Sequence, residues 1–403
     1  MGAWSIAGRG RETVVMNEQK ESIAQGDQKR SLKSGLSLEA PAAIGFLSVA
    51  LMHFFESALF ADLNNPFITI LTFLYLFGVM LWCAFAAVRH ADAIASVLGE
   101  PYGTLILTLS VITIEVSLLA SIMLHGDNNP TLARDAMFAT LMIVLNGMVG
   151  TALLMGALRY WEQEYNLEGA RAFLVVIASL AVFALILPNY TKTPPDTAEA
   201  PFQAGLFAAI TILFYIVFVI IQTMRHRAFF AEPEGNGGGS ALAREYIPHR
   251  AATGSLAYHV AMLVLTLLPV VLLSEYLAII VDFGIEELRL PAPLGGVLIA
   301  ILVLSPEGLT AFNAALDNRL QRAVNVCLGS ALATVGLTIP AVLTIGLITG
   351  HDVHLGLDQV ETVLLILTLF VSALTFGGQR TNVLQGTVHL LIFVVYLAMI
   401  FSP

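Results

Sequence analysis

Eleven separate windows in this 403-residue chain run for about 20 residues with almost no charge, the length an α-helix needs to cross a bilayer core of about 30 Å. They fall near 42–60, 67–88, 102–124, 136–158, 172–188, 202–224, 256–281, 292–316, 323–349, 359–377 and 382–402. A soluble core has no use for so many apolar segments of this length. The composition agrees: 57% of residues are hydrophobic and 12% charged, whereas a typical soluble domain carries about 25% charged residues. The expected fold class is therefore all-α, a polytopic membrane protein with about 11 transmembrane helices.

Charge placement tests that topology independently, because Lys and Arg are retained in cytoplasmic loops. With the N-terminus in the cytoplasm, sixteen of the nineteen basic residues fall in cytoplasmic segments, and only Arg134, Lys192 and Arg289 fall outside. Eleven spans then put the C-terminus outside. Residues 1–41 are polar and mixed in charge, too long and too acidic for a signal-peptide n-region, and read as a disordered cytoplasmic tail. Cys83 and Cys327 lie inside predicted helices, as buried thiols do. The net charge of −10 argues against nucleic acid as a partner, leaving the lipid bilayer and small ions.

The glycine-rich run EPEGNGGGS, 232–240, marks a linker within the cytoplasmic segment 225–255. A first transmembrane helix, 42–66, precedes two sets of five windows, 67–224 and 256–403. An odd number of spans per set forces the two sets to cross the membrane in opposite directions, the arrangement of inverted repeats. A shift of 192 residues superimposes Pro101 on Pro293, Gly103 on Gly295 and Glu115 on Glu307. In the next window a shift of 188 places Arg134 on Arg322, Met142 on Ser330 and Asn146 on Thr334.

The second carboxylate sits in LVLSPEGLTAF, 302–312, between Pro306 and Gly308. A charged side chain near the bilayer centre costs from ~2.5 to more than ~10 kcal/mol unless it lines a cavity or meets a counter-charge. No Lys or Arg falls inside a window, so the counter-charge expected for Glu115 and Glu307 is a proton or a metal cation. Pro306 removes one backbone donor, which frees a carbonyl in the preceding turn, and Gly308 allows close approach. Ser305 and such carbonyls, with the two carboxylates, make a set of hard oxygen ligands of the kind Ca²⁺ or Na⁺ accepts. Asn146, Ser330 and Thr334 are further candidate ligands, although small polar residues also join membrane helices by hydrogen bonds. His259 and His389 stand away from both glutamates, where packing or a hydrogen bond is the expected role. Glu56, Glu275, Asp282 and Glu361 fall towards outer helix ends, and Glu100 opens a helix whose dipole it complements.

Two stretches carry a family resemblance, LGEPYGTLILTLSVITIEVSLLASI at 98–122 and SPEGLTAFNAALDNRLQRAVNVCLGSALATVGLTIP at 305–340. They resemble the two α-repeats of the Ca²⁺/cation antiporter superfamily, in particular its cation/H⁺ exchangers. VRHAD at 88–92, LGEPYG at 98–103, LSPEGL at 304–309 and GQRTNVL at 378–384 are similar to motifs of the bacterial ChaA-type branch. The resemblance runs from about residue 67 to the end. It implies that Glu115 and Glu307 are the repeat-one and repeat-two glutamates of the transport site, and that the chain lies in a bacterial inner membrane. Where many family members have a histidine after the second glutamate this chain has Gly308, and where they have a glutamine in the next helix it has Ala333.

The function expected is secondary antiport of cytoplasmic Ca²⁺ for protons, with protons and cation competing for the Glu115/Glu307 pair. Sodium or potassium exchange for protons with little Ca²⁺ transport is the alternative, and a cation channel a more distant one. No H-E-x-x-H, aspartate-rich, G-x-S-x-G or phosphate-binding glycine motif is present, which disfavours an enzyme. No cofactor is expected beyond the ions carried, and a proton gradient is the expected energy source.

Overall fold

In the computed structural model, residues 39–57, 63, 65–98, 102–125, 130–191, 200–232, 255–350 and 353–401 are described. The expected tail up to residue 38, most of the glycine-rich linker, Glu100 and Pro101 lie outside them. The described residues form eleven helical rods, one for each apolar window. They are α1 (Glu39–Ser57), α2 (Pro66–Leu98), α3 (Tyr102–His125), α4 (Leu132–Tyr160), α5 (Leu167–Tyr190) and α6 (Phe202–Arg225). After the linker come α7 (Leu256–Glu287), α8 (Pro293–Leu316), α9 (Leu320–Thr349), α10 (Gln359–Thr375) and α11 (Val383–Phe401). Nine are long and apolar enough to cross a membrane, and α10 together with Thr108–Ser121 of α3 adds two shorter apolar helices. The chain is an integral membrane protein.

Local chemistry sets the helix ends. The Asn166 side chain accepts from the N–H groups of Glu168 and Gly169 and so starts α5, while Asp358 and Glu361 form a reciprocal capping box at α10. Large apolar side chains such as Leu47, Phe54, Phe67, Phe202, Phe370 and Leu391 point outward and are exposed, as lipid-facing residues are.

Helices α2 and α7, of 33 and 32 residues, pack along one another. Helix α3 lies against both of them, and α8 lies against α4 and α9. Where helices approach most closely, a missing side chain is what allows it. A Cβ on Gly296 would stand 2.7 Å from the Ala136 backbone nitrogen, and one on Gly386 2.6 Å from that of Leu154. These glycines bring α8 onto α4 and α11 onto α4. A two-stranded ribbon, β1 (Gln163–Glu164) with β2 (Arg380–Thr381), joins the α4–α5 and α10–α11 connections, reinforced by Arg380 on Glu164.

Helix α8 runs unbroken from Pro293 to Leu316 through Pro306. Proline deletes a single N–H, so the loss is confined to the Leu302 carbonyl, and packing on α4 and α9 holds the rest of the helix in register.

Candidate functional site

Helices α3 and α8 are each 24 residues long and carry Glu115 and Glu307 near their middles. Glu115 is 2% exposed and Glu307 8%, and the two are close enough for their charges to interact. Neither forms an ion pair with a basic side chain among the described residues.

What faces them comes from α9. Ser330, Thr334 and Thr338 follow one another at intervals of four, a spacing that lines up side chains on one helix face. The Thr334 hydroxyl donates to Glu115 Oε2 at 2.9 Å. The Thr338 hydroxyl is the next polar neighbour of Glu115, and the Ser330 hydroxyl is that of Glu307, but neither makes a well-formed hydrogen bond. Glu115 Oε1, Glu307 Oε2, Ser330 Oγ and Thr338 Oγ1 are thus buried oxygens without a hydrogen-bond partner among the described residues.

Near-complete pairing of buried polar atoms is the rule in native interiors, so four orphans in one place require an account. A carboxylate needs neutralising where water is excluded, by a proton or by a cation. Each hydroxyl can donate to a carboxylate or turn a lone pair to a cation, so it suits either occupant. Among the described residues no group of three or more His, Cys, Asp and Glu could hold a metal ion, so hydroxyl or backbone oxygens would have to complete any cation shell.

Local backbone geometry accompanies the site. Helix α9 widens into a π segment over Thr334–Thr338, and α4 does so over Ile143–Met148. A π turn changes the hydrogen-bond step from i−4 to i−5 and is common at functional positions. Met148, at the end of the α4 segment, packs against Gly308 beside Glu307.

Of the six residues singled out from the sequence, four meet at this place: Glu115, Glu307, Ser330 and Thr334. Ser305 turns back along its helix and donates to the Ile301 carbonyl at 2.5 Å. Asn146, in the α4 π segment, faces α10 and α11, where its Nδ2 donates to Thr368 Oγ1 at 2.9 Å and its Oδ1 meets His389 Nδ1 at 3.1 Å. Thr338 was not foreseen. Its signal was only a hydroxyl one turn beyond Thr334, while its counterpart under the 188-residue shift is Gly150, which has no side chain.

In this bundle of eleven apolar helices, two buried, mutually interacting carboxylates and a stripe of hydroxyls supply oxygens that can hold a small cation or a proton, the equipment of a membrane protein that handles small ions. The chain belongs to the sodium/calcium exchanger protein family, whose model matches residues 68–224 and 258–402. It is 42% identical over 327 residues to the protein y4hA of Sinorhizobium fredii, spanning 81% of this chain and 87% of that one. It is 38% identical over 340 residues to the sodium-potassium/proton antiporter ChaA of Escherichia coli, spanning 84% and 90%. Among solved structures, native YfkE superimposes with a TM-score of 0.64 at 17% identity over 86% of this chain and 98% of that one. The H⁺/Ca²⁺ exchanger CAX superimposes with a TM-score of 0.58 at 14% identity, over 89% of each chain. At such identities the structural likeness speaks for the fold alone.

Proposed function

We propose that this protein is a secondary antiporter that exchanges Ca²⁺ for protons, with Glu115 and Glu307 holding one or the other in turn. The observation that carries this reading is the group of four buried, unpartnered oxygens, two of them carboxylate. Two carboxylates neutralise one divalent cation, or two protons, without residual charge. Because bare carboxylates cannot pass an apolar barrier cheaply, the site changes access only when loaded, and that requirement couples the two ions. The proton gradient drives the cycle, and Ca²⁺ leaves the cytoplasm.

The same reading divides the chain into a first helix and two inverted repeats, 67–224 and 256–403. Its support is the near-equal length of α2 and α7, the glutamate at mid-helix in both α3 and α8, and the π segments in both α4 and α9. The bias of sixteen basic residues against three favours a cytoplasmic N-terminus and an external C-terminus, and the likeness to bacterial transporters favours residence in a bacterial inner membrane.

A specific observation favours a second reading: the E. coli relative, 38% identical, is named a sodium-potassium/proton antiporter. Sodium needs fewer oxygens than the six to eight typical of Ca²⁺, and Ala333 supplies none. Monovalent exchange at alkaline pH therefore accompanies the Ca²⁺ activity in this account.

The test is ΔpH-driven cation flux in everted vesicles. Glu115→Gln and Glu307→Gln each keep the side-chain shape and are expected to abolish flux while the protein still inserts. Near-normal exchange in either variant would remove that glutamate from the site.

A further inference from the structure

Away from the carboxylate pair, where α1 begins, α2 ends and α7 begins, side chains from three helices form a hydrogen-bonded chain. His90 of α2 is 2% exposed and His259 of α7 is 7% exposed, and their Nδ1 atoms face each other at 3.1 Å. His90 Nε2 lies 3.2 Å from Glu39 Oε2, and the Tyr258 hydroxyl donates to Glu39 Oε1 at 2.6 Å. The Glu39 side chain is one quarter exposed, so the chain leads from the surface inward. At its inner end His259 Nε2 is buried and has no hydrogen-bond partner among the described residues.

Elementary donor and acceptor rules fix where the hydrogens lie. Two ring nitrogens in contact can hold one proton between them, not two. An ionised carboxylate only accepts, so His90 Nε2 carries hydrogen and the neutral His90 Nδ1 offers a lone pair. His259 Nδ1 must then donate, which leaves His259 Nε2 as a bare lone pair. The atom without a partner is therefore a base, with an imidazole and a carboxylate in line behind it.

The surroundings complete the environment. Tyr258 orients Glu39, Arg89 flanks His90 on α2 within reach of its charge, and Asp92 on the same helix is close enough to Glu307 for their charges to interact. Ala87, Ala91, Ile94 and Leu263, with Ile106 of α3, form an apolar cluster along the same α2–α7 seam.

We propose that Glu39, His90 and His259 form a second proton-binding site, a relay that passes the exchanged protons between solvent at this end of the bundle and the interior. This proposal rests on the antiport reading above. A proton arriving at His259 Nε2 forms an N–H bond there. The Nδ1 proton of His259 crosses to His90 Nδ1, the Nε2 proton of His90 crosses to Glu39, and protonated Glu39 releases it to water. One proton enters, one leaves, and no charge stays on the chain. Both rings end in the opposite tautomer, poised to carry the next proton the other way or to reset by rotation.

The test uses the full chain in proteoliposomes, with whichever of Ca²⁺, Na⁺ and K⁺ the wild-type protein exchanges fastest. His90→Phe and His259→Phe keep a ring of similar size and remove the nitrogens, and His259→Gln serves if the Phe variant fails to insert. Two rates are compared: ΔpH-driven exchange, and isotopic self-exchange of the same cation, which moves no net protons. The relay predicts that ΔpH-driven exchange falls by about tenfold or more while self-exchange stays within about twofold, with the loss steepest at alkaline pH where protons are scarce. Glu39→Gln gives an intermediate loss. Unchanged ΔpH-driven exchange overturns the relay, and so does an equal fall in both rates, which marks a structural role alone. Failure of the antiport reading shows separately, as a wild-type protein with no ΔpH-driven flux of any of the three cations.

Discussion

Thr334 ties α9 to α3, since its hydroxyl donates to the Glu115 carboxylate. Thr334→Val keeps the shape and deletes the donor, leaving Glu115 with neither oxygen bonded, a loss of about 1–3 kcal/mol for a buried acceptor. The expected outcome is an apparent KM for the cation raised roughly tenfold, with Thr334→Ser close to wild type, measured by flux against cation concentration. Equal KM values in the Val and wild-type proteins would show that the hydroxyl has no part in holding the ion. At this scale the sequence was informative where chemistry was costly: a carboxylate in an apolar window demands a reason, and the structure buries both glutamates within reach of each other's charge. It was silent where a partner is remote. His389 lies 243 positions from Asn146, and no local pattern encodes that their side chains meet.

At the scale of elements, hydropathy located each of the eleven described rods, because lipid imposes a minimum apolar length. It misplaced ends that lie outside the apolar core: the window at 67–88 became α2, Pro66–Leu98, whose last turns carry Arg89, His90 and Asp92. Those polar residues lowered the hydropathy of the window, and of the three only His90 is buried between helices. The π segments were not legible either, since side-chain periodicity does not specify a one-residue change of hydrogen-bond step. Close crossings yield a prediction of their own. Gly296→Ala would drive a Cβ to 2.7 Å from the Ala136 nitrogen of α4, and backbone cannot step aside as a flexible side chain does. A destabilisation of about 1–3 kcal/mol is expected, read as a lower melting temperature in detergent. Gly205→Ala, where a Cβ meets nothing, is the control expected to melt with the wild type. Equal melting of all three proteins would mean that α8 and α4 can separate without cost.

Across the whole molecule, the proposed arrangement has two halves crossing the membrane in opposite senses, and it draws on the asymmetry of basic residues and on the mid-helix glutamates of α3 and α8. Its orientation is open to labelling. Cys83 and Cys327 are buried, so single cysteines introduced elsewhere report alone. Positions in 192–199 should react with an impermeant reagent added outside intact cells, and positions in 233–254 only after permeabilisation, whereas the reverse pattern would invert the topology. The central claim is that cation and protons compete for one carboxylate pair. It is tested most directly by the protons released when Ca²⁺, Na⁺ or K⁺ is added in turn to the purified, detergent-solubilised protein in weak buffer, from neutral to alkaline pH. The account predicts saturable proton release with Ca²⁺, weaker release with the monovalent ions, and none from the Glu115→Gln, Glu307→Gln double variant. Cation binding by the wild-type protein without any proton release, or the same release from the double variant, would contradict it.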